Sequence, residues 1–263
     1  MGCDFIVFSG CLAGEKSVRM PILFDCAEFL AIDKPANVDC SAVIDQMRSN
    51  ISRGGSTKLG IGRPMEIFSL DGEISGVFFI AKNRESAANL RNLHGSQAFK
   101  FTFDFLTFPS GIDKGTALVC DLPIGKHRAA HRMLISHKTG KKSHTEFAFV
   151  ENVGKCEHWT ASCSFFRRHQ VRIHAHECGL HLVGEKLYAD SRSLNLAKKF
   201  RKFDGADPHW SEEYFPLHLS CVEMHGLLKV AAKLAKKFQA TVNLLRKYQS
   251  ATATFDLQKY LEN

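Results

Sequence analysis

The chain has 263 residues, enough for one large domain with a sizeable buried core or for two small ones. Its formal net charge of +8 favours a polyanionic partner, with nucleic acid before an anionic membrane surface, although charge alone does not exclude a merely basic protein. The nine cysteines include no C-x-x-C pair, which argues against a disulfide scaffold and a zinc ribbon. With no signal-peptide pattern at the start and no apolar run of membrane-spanning length, we expect a reduced, cytoplasmic protein.

The first regular elements are two short strands and a helix. Alternating and apolar residues predict strands over Ile22–Asp25 and Phe29–Lys34, and Pro35 ends the second because proline cannot donate to a ladder. Apolar residues at helical spacing then predict a helix over Ser41–Ser52, with Ser41 as its cap.

The next stretch, Met65–Lys82, combines a polar turn with a buried strand. Residues 69–73 form the turn, and the apolar run Val77–Ala81 is typical of a strand covered on both faces. Asp71 lies in the turn, where a carboxylate is held by rigid structure and can belong to a site. By itself it is also an ordinary turn residue, since aspartate and glycine are the commonest residues there.

The middle of the chain continues as a helix followed by strands. Asn83 is placed to cap a helix over Arg84–His94, and phenylalanines alternate with polar residues over Phe99–Phe105, which predicts a strand. Further strands are expected around Phe147–Val150 and Trp159–Ser164.

A basic segment, Phe166–His174, follows these strands and leads into a helix over Gln170–Glu177. Beyond it we expect an exposed insert rich in lysine and arginine at Ser191–Trp210, a strand at Leu217–Ser220 and partly helical, basic structure over Lys229–Tyr248. Since no internal repeat interrupts the chain, we expect a single domain over residues 1–263, with no separate RNA-binding module before residue 22.

Two segments resemble the RluA-type pseudouridine synthases, which isomerise uridine within RNA. Phe68–Gly76 corresponds to the family's H-R-L-D-x-x-T-S-G, and Phe166–His174 corresponds to G-R-T-H-Q-I-R-V-H. Weaker matches follow in order, including Gly179–Tyr188, so that the resemblance covers most of residues 22–240. It implies an α+β pseudouridine synthase fold, a mixed and largely antiparallel sheet with flanking helices and a basic central cleft.

The resemblance also implies roles for three side chains in the reaction. Asp71 is expected to act either as the nucleophile at C1′ of the ribose or as the base that removes a sugar proton, and Arg167 to pair with it and keep it ionised. Phe103, with Phe101 as the rival, stands where the family has a tyrosine and is expected to stack on the base, although its strand also fits a plain core role. No metal or organic cofactor is needed.

Basic residues are expected to bind the RNA backbone at two places. Lys126, Arg128 and Arg132 belong to a basic loop that can lie on phosphates or remain a solvated loop. Arg168 and Arg172 are spaced i, i+4, so on a helix they would share one face and follow the backbone. The protein is expected to act on rRNA or tRNA as a monomer.

Departures from the family's pattern keep a second function open. Ser69 replaces an arginine that fills the space left by the flipped uridine, Gly72 lacks a basic side chain, and Phe103 lacks the hydroxyl. An RNA-binding protein of the same fold with weakened or lost catalysis, such as a ribosome-assembly clamp, is the alternative. An unrelated basic hydrolase lacks a recognisable nucleophile and base.

Soft ligands between His174 and His181 raise the question of a metal site. They include His176 and Cys178, which diverge in direction on a helix, whereas His174 and His181 occupy positions that are histidine in the metal-free family. We therefore predict no metal.

Overall fold

A computed structural model describes residues 5–8, 18–53, 59–128, 131–189 and 217–253. In this part of the chain the strands are β1 (Phe5–Phe8), β2 (Val18–Asp25), β3 (Phe29–Lys34), β4 (Met65–Glu66), β5 (Ser75–Ala81), β6 (Phe99–Thr107), β7 (Leu118–Cys120), β8 (Ile124–Lys126), β9 (Met133–Ile135), β10 (Thr145–Val153), β11 (Cys156–Cys163), β12 (Leu217–Met224) and β13 (Leu228–Ala231). The helices are α1 (Cys40–Ser52), α2 (Arg84–Gly95), α3 (Gln170–Glu177) and α4 (Lys236–Ala253). The predicted insert Ser191–Trp210 lies outside the described residues.

The strands form one large mixed sheet and one small hairpin. The order of the large sheet is β1-β2-β3-β5-β12-β6-β11-β10-β7, with β4 added to β5 and β13 to β12, whereas β8 and β9 pair only with each other. Every pairing is antiparallel except the parallel contact between β5 and β12. The expected α+β architecture, a mixed and largely antiparallel sheet with flanking helices, is confirmed.

Gly76 makes the parallel contact possible. It pairs with Leu219 at φ +115°, and a Cβ at this position would lie 2.1 Å from the Leu219 carbonyl oxygen. Ser75 is joined to the same strand by its hydroxyl, 2.9 Å from Nδ1 of His218. Because these contacts follow directly after the turn that holds Asp71, they fix the end of that turn to the centre of the sheet.

The strands predicted on either side of the turn are all present, and β5 is buried along its whole length. Asn83 caps α2 as predicted, its side-chain oxygen accepting from the Ser86 N–H at 2.8 Å. Ser41 is not the cap of α1, since the helix begins one residue earlier and Asp39 takes the cap position without a side-chain cap bond. The serine therefore lies inside the first turn.

Two clusters of buried apolar side chains hold the layers together. The larger contains the inward phenylalanines of β5 and β6 together with the apolar face of α1. The smaller packs Phe238 and Leu245 of α4 against Leu106 of β6. Within the described ranges, none of the helices has both the length and the apolarity needed to cross a bilayer.

Candidate active site

A buried lysine supports the turn that carries Asp71. Lys34 is fully buried at the end of β3, and its ammonium donates to the carbonyl oxygens of Pro35, Val38 and Gly72 at 3.1, 2.8 and 3.2 Å. Burial lowers its pKa to about 8. The bond to Gly72 ties the turn to β3, so that the position of Asp71 is set by the sheet.

Asp71 is buried among polar groups of the α3 segment. Its Oδ2 lies 3.6 Å from Nη1 of Arg172, and its Oδ1 lies 3.7 Å from Nε2 of His169. Burial raises the pKa of Asp71 to about 6, with Arg172 acting in the opposite direction. Oδ2 is buried without a hydrogen-bond partner among the described residues, so the carboxylate is held by charge and is not locked by short bonds.

Arg172 joins Asp71 to a second buried carboxylate. Its Nε and Nη2 donate to the two carboxylate oxygens of Glu185 at 2.7 and 2.8 Å, a bidentate geometry that holds the guanidinium plane in place. This bonding lowers the pKa of Glu185 against the effect of its burial. Glu185 thereby aims the remaining guanidinium nitrogen of Arg172 at Asp71.

The predicted pairing of Asp71 with Arg167 is wrong: Arg172 occupies that position. The guanidinium of Arg167 donates instead to the carbonyl oxygen of Lys142, at 3.3 Å from Nε and 3.1 Å from Nη2, and it covers the ring of Phe165. The reason is local. Arg167 lies in the turn before α3, whereas Arg172 lies within the helix and its Nη1 is 3.6 Å from Asp71 Oδ2.

The predicted RNA-tracking face of Arg168 and Arg172 does not form either. Arg168 is exposed and precedes α3, whose cap residue His169 has a left-handed backbone, so the two arginines do not share a helical face. Arg172 is 3% exposed. Residues 170–175 are all buried, because this short helix is covered on several sides and has no solvent face there.

Asp71 borders an open cavity of about 740 Å³. Apolar rings of Phe68 and Phe166 and the imidazole of His94 line one part of it, and the exposed Ser69 lies in its wall. Gly72 also lines this space, and a Cβ there would be 2.6 Å from Oδ1 of the exposed Asp39 side chain, which would have to move to admit a larger residue. The volume is that of a site for a small organic group such as a nucleoside.

Phe103, the predicted stacking residue, does not line this cavity. It is 1% exposed and borders a separate space of about 10 Å³ beneath Asp71, with its ring edge-on to Phe166 at 5.6 Å. The core interpretation of its strand therefore describes Phe103, and Phe68 and Phe166 are the rings available to a bound base.

A second depression, the basic groove, adjoins the cavity. It has a volume of about 400 Å³, and its lining includes Lys126, Arg128, His131, Arg132 and Arg168. His131 and Arg168 also line the cavity, which makes the two spaces neighbours. Lys126 ends strand β8 of the small hairpin, so the loop residues predicted to bind RNA do gather at one place.

The histidines considered as metal ligands have other partners or lie apart. His174 contacts the Thr145 hydroxyl and the Leu122 carbonyl oxygen, both at 2.9 Å. In the described ranges, no group of three or more histidine, cysteine or acidic side chains is arranged to hold a metal ion.

Three site residues were not predicted from the sequence: Glu185, His169 and Tyr188. Each lies in a segment that resembles the family. Only the folded structure shows that Glu185 and Tyr188, which lie further along the chain, contact Arg172 and His169 at the start of α3. The sequence signal for Glu185 and Tyr188 was the resemblance of Gly179–Tyr188 to a family segment, which gave these residues no role.

Relatives of the chain carry consistent names. It is 22% identical over 192 residues to an uncharacterised RNA pseudouridine synthase of Synechocystis sp., a match covering 69% of this chain and 58% of that protein. It is 29% identical over 132 residues to an uncharacterised RNA pseudouridine synthase of Aquifex aeolicus, covering 49% and 41%. The ribosomal large subunit pseudouridine synthase D of Pseudomonas aeruginosa is 20% identical over 177 residues, covering 66% and 54%. The chain thus spans about half the length of these relatives.

Solved structures show the same architecture. Human RNA pseudouridylate synthase domain containing 4 matches with a TM-score of 0.67 at 17% identity over 86% of this chain and 92% of that one. Human RNA pseudouridylate synthase domain containing 1 matches with a TM-score of 0.59 at 17% identity, over 86% and 94%. No protein-family model matches the chain. The fold is that of the pseudouridylate synthase domains. In sequence, the chain is similar to RNA pseudouridine synthases at 20–29% identity.

Proposed function

We propose that this protein isomerises uridine to pseudouridine in structured RNA, with Asp71 as the catalytic carboxylate. The observation that carries the proposal is the Asp71–Arg172–Glu185 arrangement at the wall of a nucleoside-sized cavity next to the basic groove. Arg172 takes the role that Arg167 was expected to have. The relatives' names support the same reaction, and rRNA or tRNA is the proposed substrate class.

The proposed chemistry needs only a carboxylate at the sugar. The bond between C1′ and N1 of the uridine breaks, the base turns within the cavity, and C5 bonds to C1′. C5 then loses its proton and N1 takes one up. Asp71 acts either as the nucleophile at C1′ or as the base at the sugar, and the rings of Phe68 and Phe166 line the space that the detached base would occupy. No atom is gained or lost overall, so no co-substrate is consumed. We place the reaction in the cytoplasm, carried out by a monomer.

The wall of the cavity favours a target that is already unpaired. Ser69 is exposed at the cavity and is too short to fill the space that a flipped base leaves in a helix. Extruding a paired base costs a few kcal/mol, and a loop uridine avoids most of this cost. We therefore propose a uridine in a loop or bulge as the target.

Purified protein tests the proposal directly. Incubated with total RNA from cells that lack the gene, it should produce pseudouridine detectable by mass spectrometry of the digested nucleosides. RNA from cells that retain the gene is the control, since its target should already be modified. Tight RNA binding without any pseudouridine would instead support the clamp function.

The rate should depend on the ionisation of Asp71. Because burial raises its pKa to about 6, the carboxylate that the reaction needs is fully present above that pH and is protonated below it. We expect kcat/KM on a fixed RNA to fall near pH 6 to half of its value at neutral pH, and then about tenfold for each pH unit below that. A flat profile through this range would contradict a role for ionised Asp71.

RNA affinity should depend on the basic groove. Replacing Arg128 and Arg132 together with alanine removes two cations from its lining, so the slope of log affinity against log salt should become less steep by about 2. The matched control is the double alanine variant of Arg84 and Arg91, two arginines of α2 that line neither space. An equal change of this slope in both variants would show that the RNA does not bind in the basic groove.

A further inference from the structure

His169 lies between the surface and the proposed catalytic carboxylate. The Nε2 atom of its ring is 3.7 Å from Asp71 Oδ1. The residue has φ 58°, a left-handed conformation that costs a non-glycine residue on the order of 1 kcal/mol. The surrounding structure therefore maintains a strained backbone at the residue whose ring lies beside Asp71.

The ring of His169 has a different neighbour at each nitrogen. Nε of Arg168 donates to Nε2 at 3.3 Å, and Nδ1 lies 2.8 Å from the hydroxyl of Tyr188. Burial lowers the pKa of His169 to about 4, so the ring is neutral and carries one N–H. Since Nε2 accepts from Arg168, that hydrogen is on Nδ1 and is donated to the Tyr188 oxygen. In this tautomer Nε2 has no hydrogen to offer Asp71.

Arg168 is placed to leave His169 when RNA binds. It is exposed, and it lines both the cavity and the basic groove. A phosphate in the groove would form a charge-assisted bond with the guanidinium, which is stronger than its bond to a neutral imidazole.

The departure of Arg168 makes the second tautomer of His169 available. Nε2–H can then point at Asp71 Oδ1, while Nδ1 accepts from the hydroxyl of Tyr188. The Tyr188 oxygen continues to accept from the Met133 N–H at 2.8 Å, so each of these groups keeps a partner. The number of protons on the ring is unchanged.

We propose that His169 is a positioning residue for Asp71 and that Arg168 sets its tautomer, so that RNA binding by Arg168 turns the ring into a hydrogen-bond donor to the carboxylate. The hydrogen bond would orient Asp71 and replace the charge of Arg168 as a group that favours its ionised form. This inference rests on the proposed function in one respect: the effect of the hydrogen bond on catalysis assumes that Asp71 is the catalytic carboxylate. The tautomer change itself can be tested without turnover.

The first test is nitrogen NMR of the ¹⁵N-histidine-labelled full chain without RNA, with the signals of His169 assigned by their loss in His169→Gln. In the wild type, Nδ1 should be the protonated nitrogen, and in Arg168→Ala it should be Nε2. Arg128→Ala is the matched control, because Arg128 lines the same groove without contacting His169, and it should keep the wild-type tautomer.

A wild type already protonated at Nε2, or an Arg168→Ala spectrum like that of the wild type, would overturn the inference. A tautomer change in a protein that never makes pseudouridine would refute the proposed function alone.

The second test compares two amides at position 169. Glutamine places its NH₂ near the Nε2 position and can reach Asp71, whereas asparagine places it near Nδ1 and cannot. We expect His169→Gln to keep kcat within about tenfold and His169→Asn to lose about 100-fold or more, with KM changed only a few fold in both. Asparagine tolerates the left-handed backbone better than glutamine, so a purely structural role would give the opposite order. Equal losses or that opposite order would overturn the inference.

Discussion

Replacing Arg172 with alanine should destabilise the protein by about 3–5 kcal/mol and abolish its activity, because it leaves Glu185 and Asp71 buried without their cation. The matched variant Arg167→Ala should cost no more than about 1–2 kcal/mol, since it removes hydrogen bonds to a single carbonyl oxygen from a half-exposed side chain. Denaturant unfolding of the two variants measures this difference.

Arg172→Lys separates the two roles of the guanidinium. It retains the positive charge but cannot make the bidentate contact with Glu185 that aims the side chain at Asp71. We expect this variant to fold and to lose about 100-fold or more in kcat. Equal stability losses for Arg167→Ala and Arg172→Ala would instead restore the pairing expected from sequence.

Asp71→Asn should abolish isomerisation, with a loss of at least about 1000-fold in kcat, because the amide can serve neither as nucleophile nor as base. The fold should remain intact, since asparagine has the same shape and burial already disfavours the charge of Asp71. RNA affinity, measured by fluorescence anisotropy, should stay within a few fold. This combination distinguishes a chemical role from a binding role.

The control for this variant is Asp33→Asn. Asp33 is a half-buried carboxylate of β3 whose pKa is also raised to about 6 by burial, but it does not line the cavity. It should retain activity within a few fold of the wild type. Comparable losses at both positions would attribute the effect to stability or folding and not to chemistry.

Local sequence patterns correctly predicted the strands and the helix around the Asp71 turn. The alternating phenylalanines of β6, the apolar run of β5 and the Asn83 cap each depend on neighbours a few residues away, and each is found where expected.

The partners of the candidate site could not be predicted in the same way. The choice between Arg167 and Arg172 depends on where α3 begins and on Glu185, which returns to the helix from further along the chain. Arg168 and Arg172 share no solvent-facing helical face, because Arg168 precedes α3 and α3 is buried over most of its length. The burial of Phe103 behind its neighbours is likewise a property of packing between distant strands.

Mapping pseudouridines across all RNAs of the source cell tests the central claim most directly. The map should be made in cells that lack the gene and again after wild-type protein or Asp71→Asn is restored. We predict that at least one uridine in a loop or bulge loses its modification in the deleted cells and regains it only with the wild type. Identical maps in all of these cells, or a site restored equally well by Asp71→Asn, would contradict the assignment of Asp71 as the catalytic carboxylate of an RNA pseudouridine synthase.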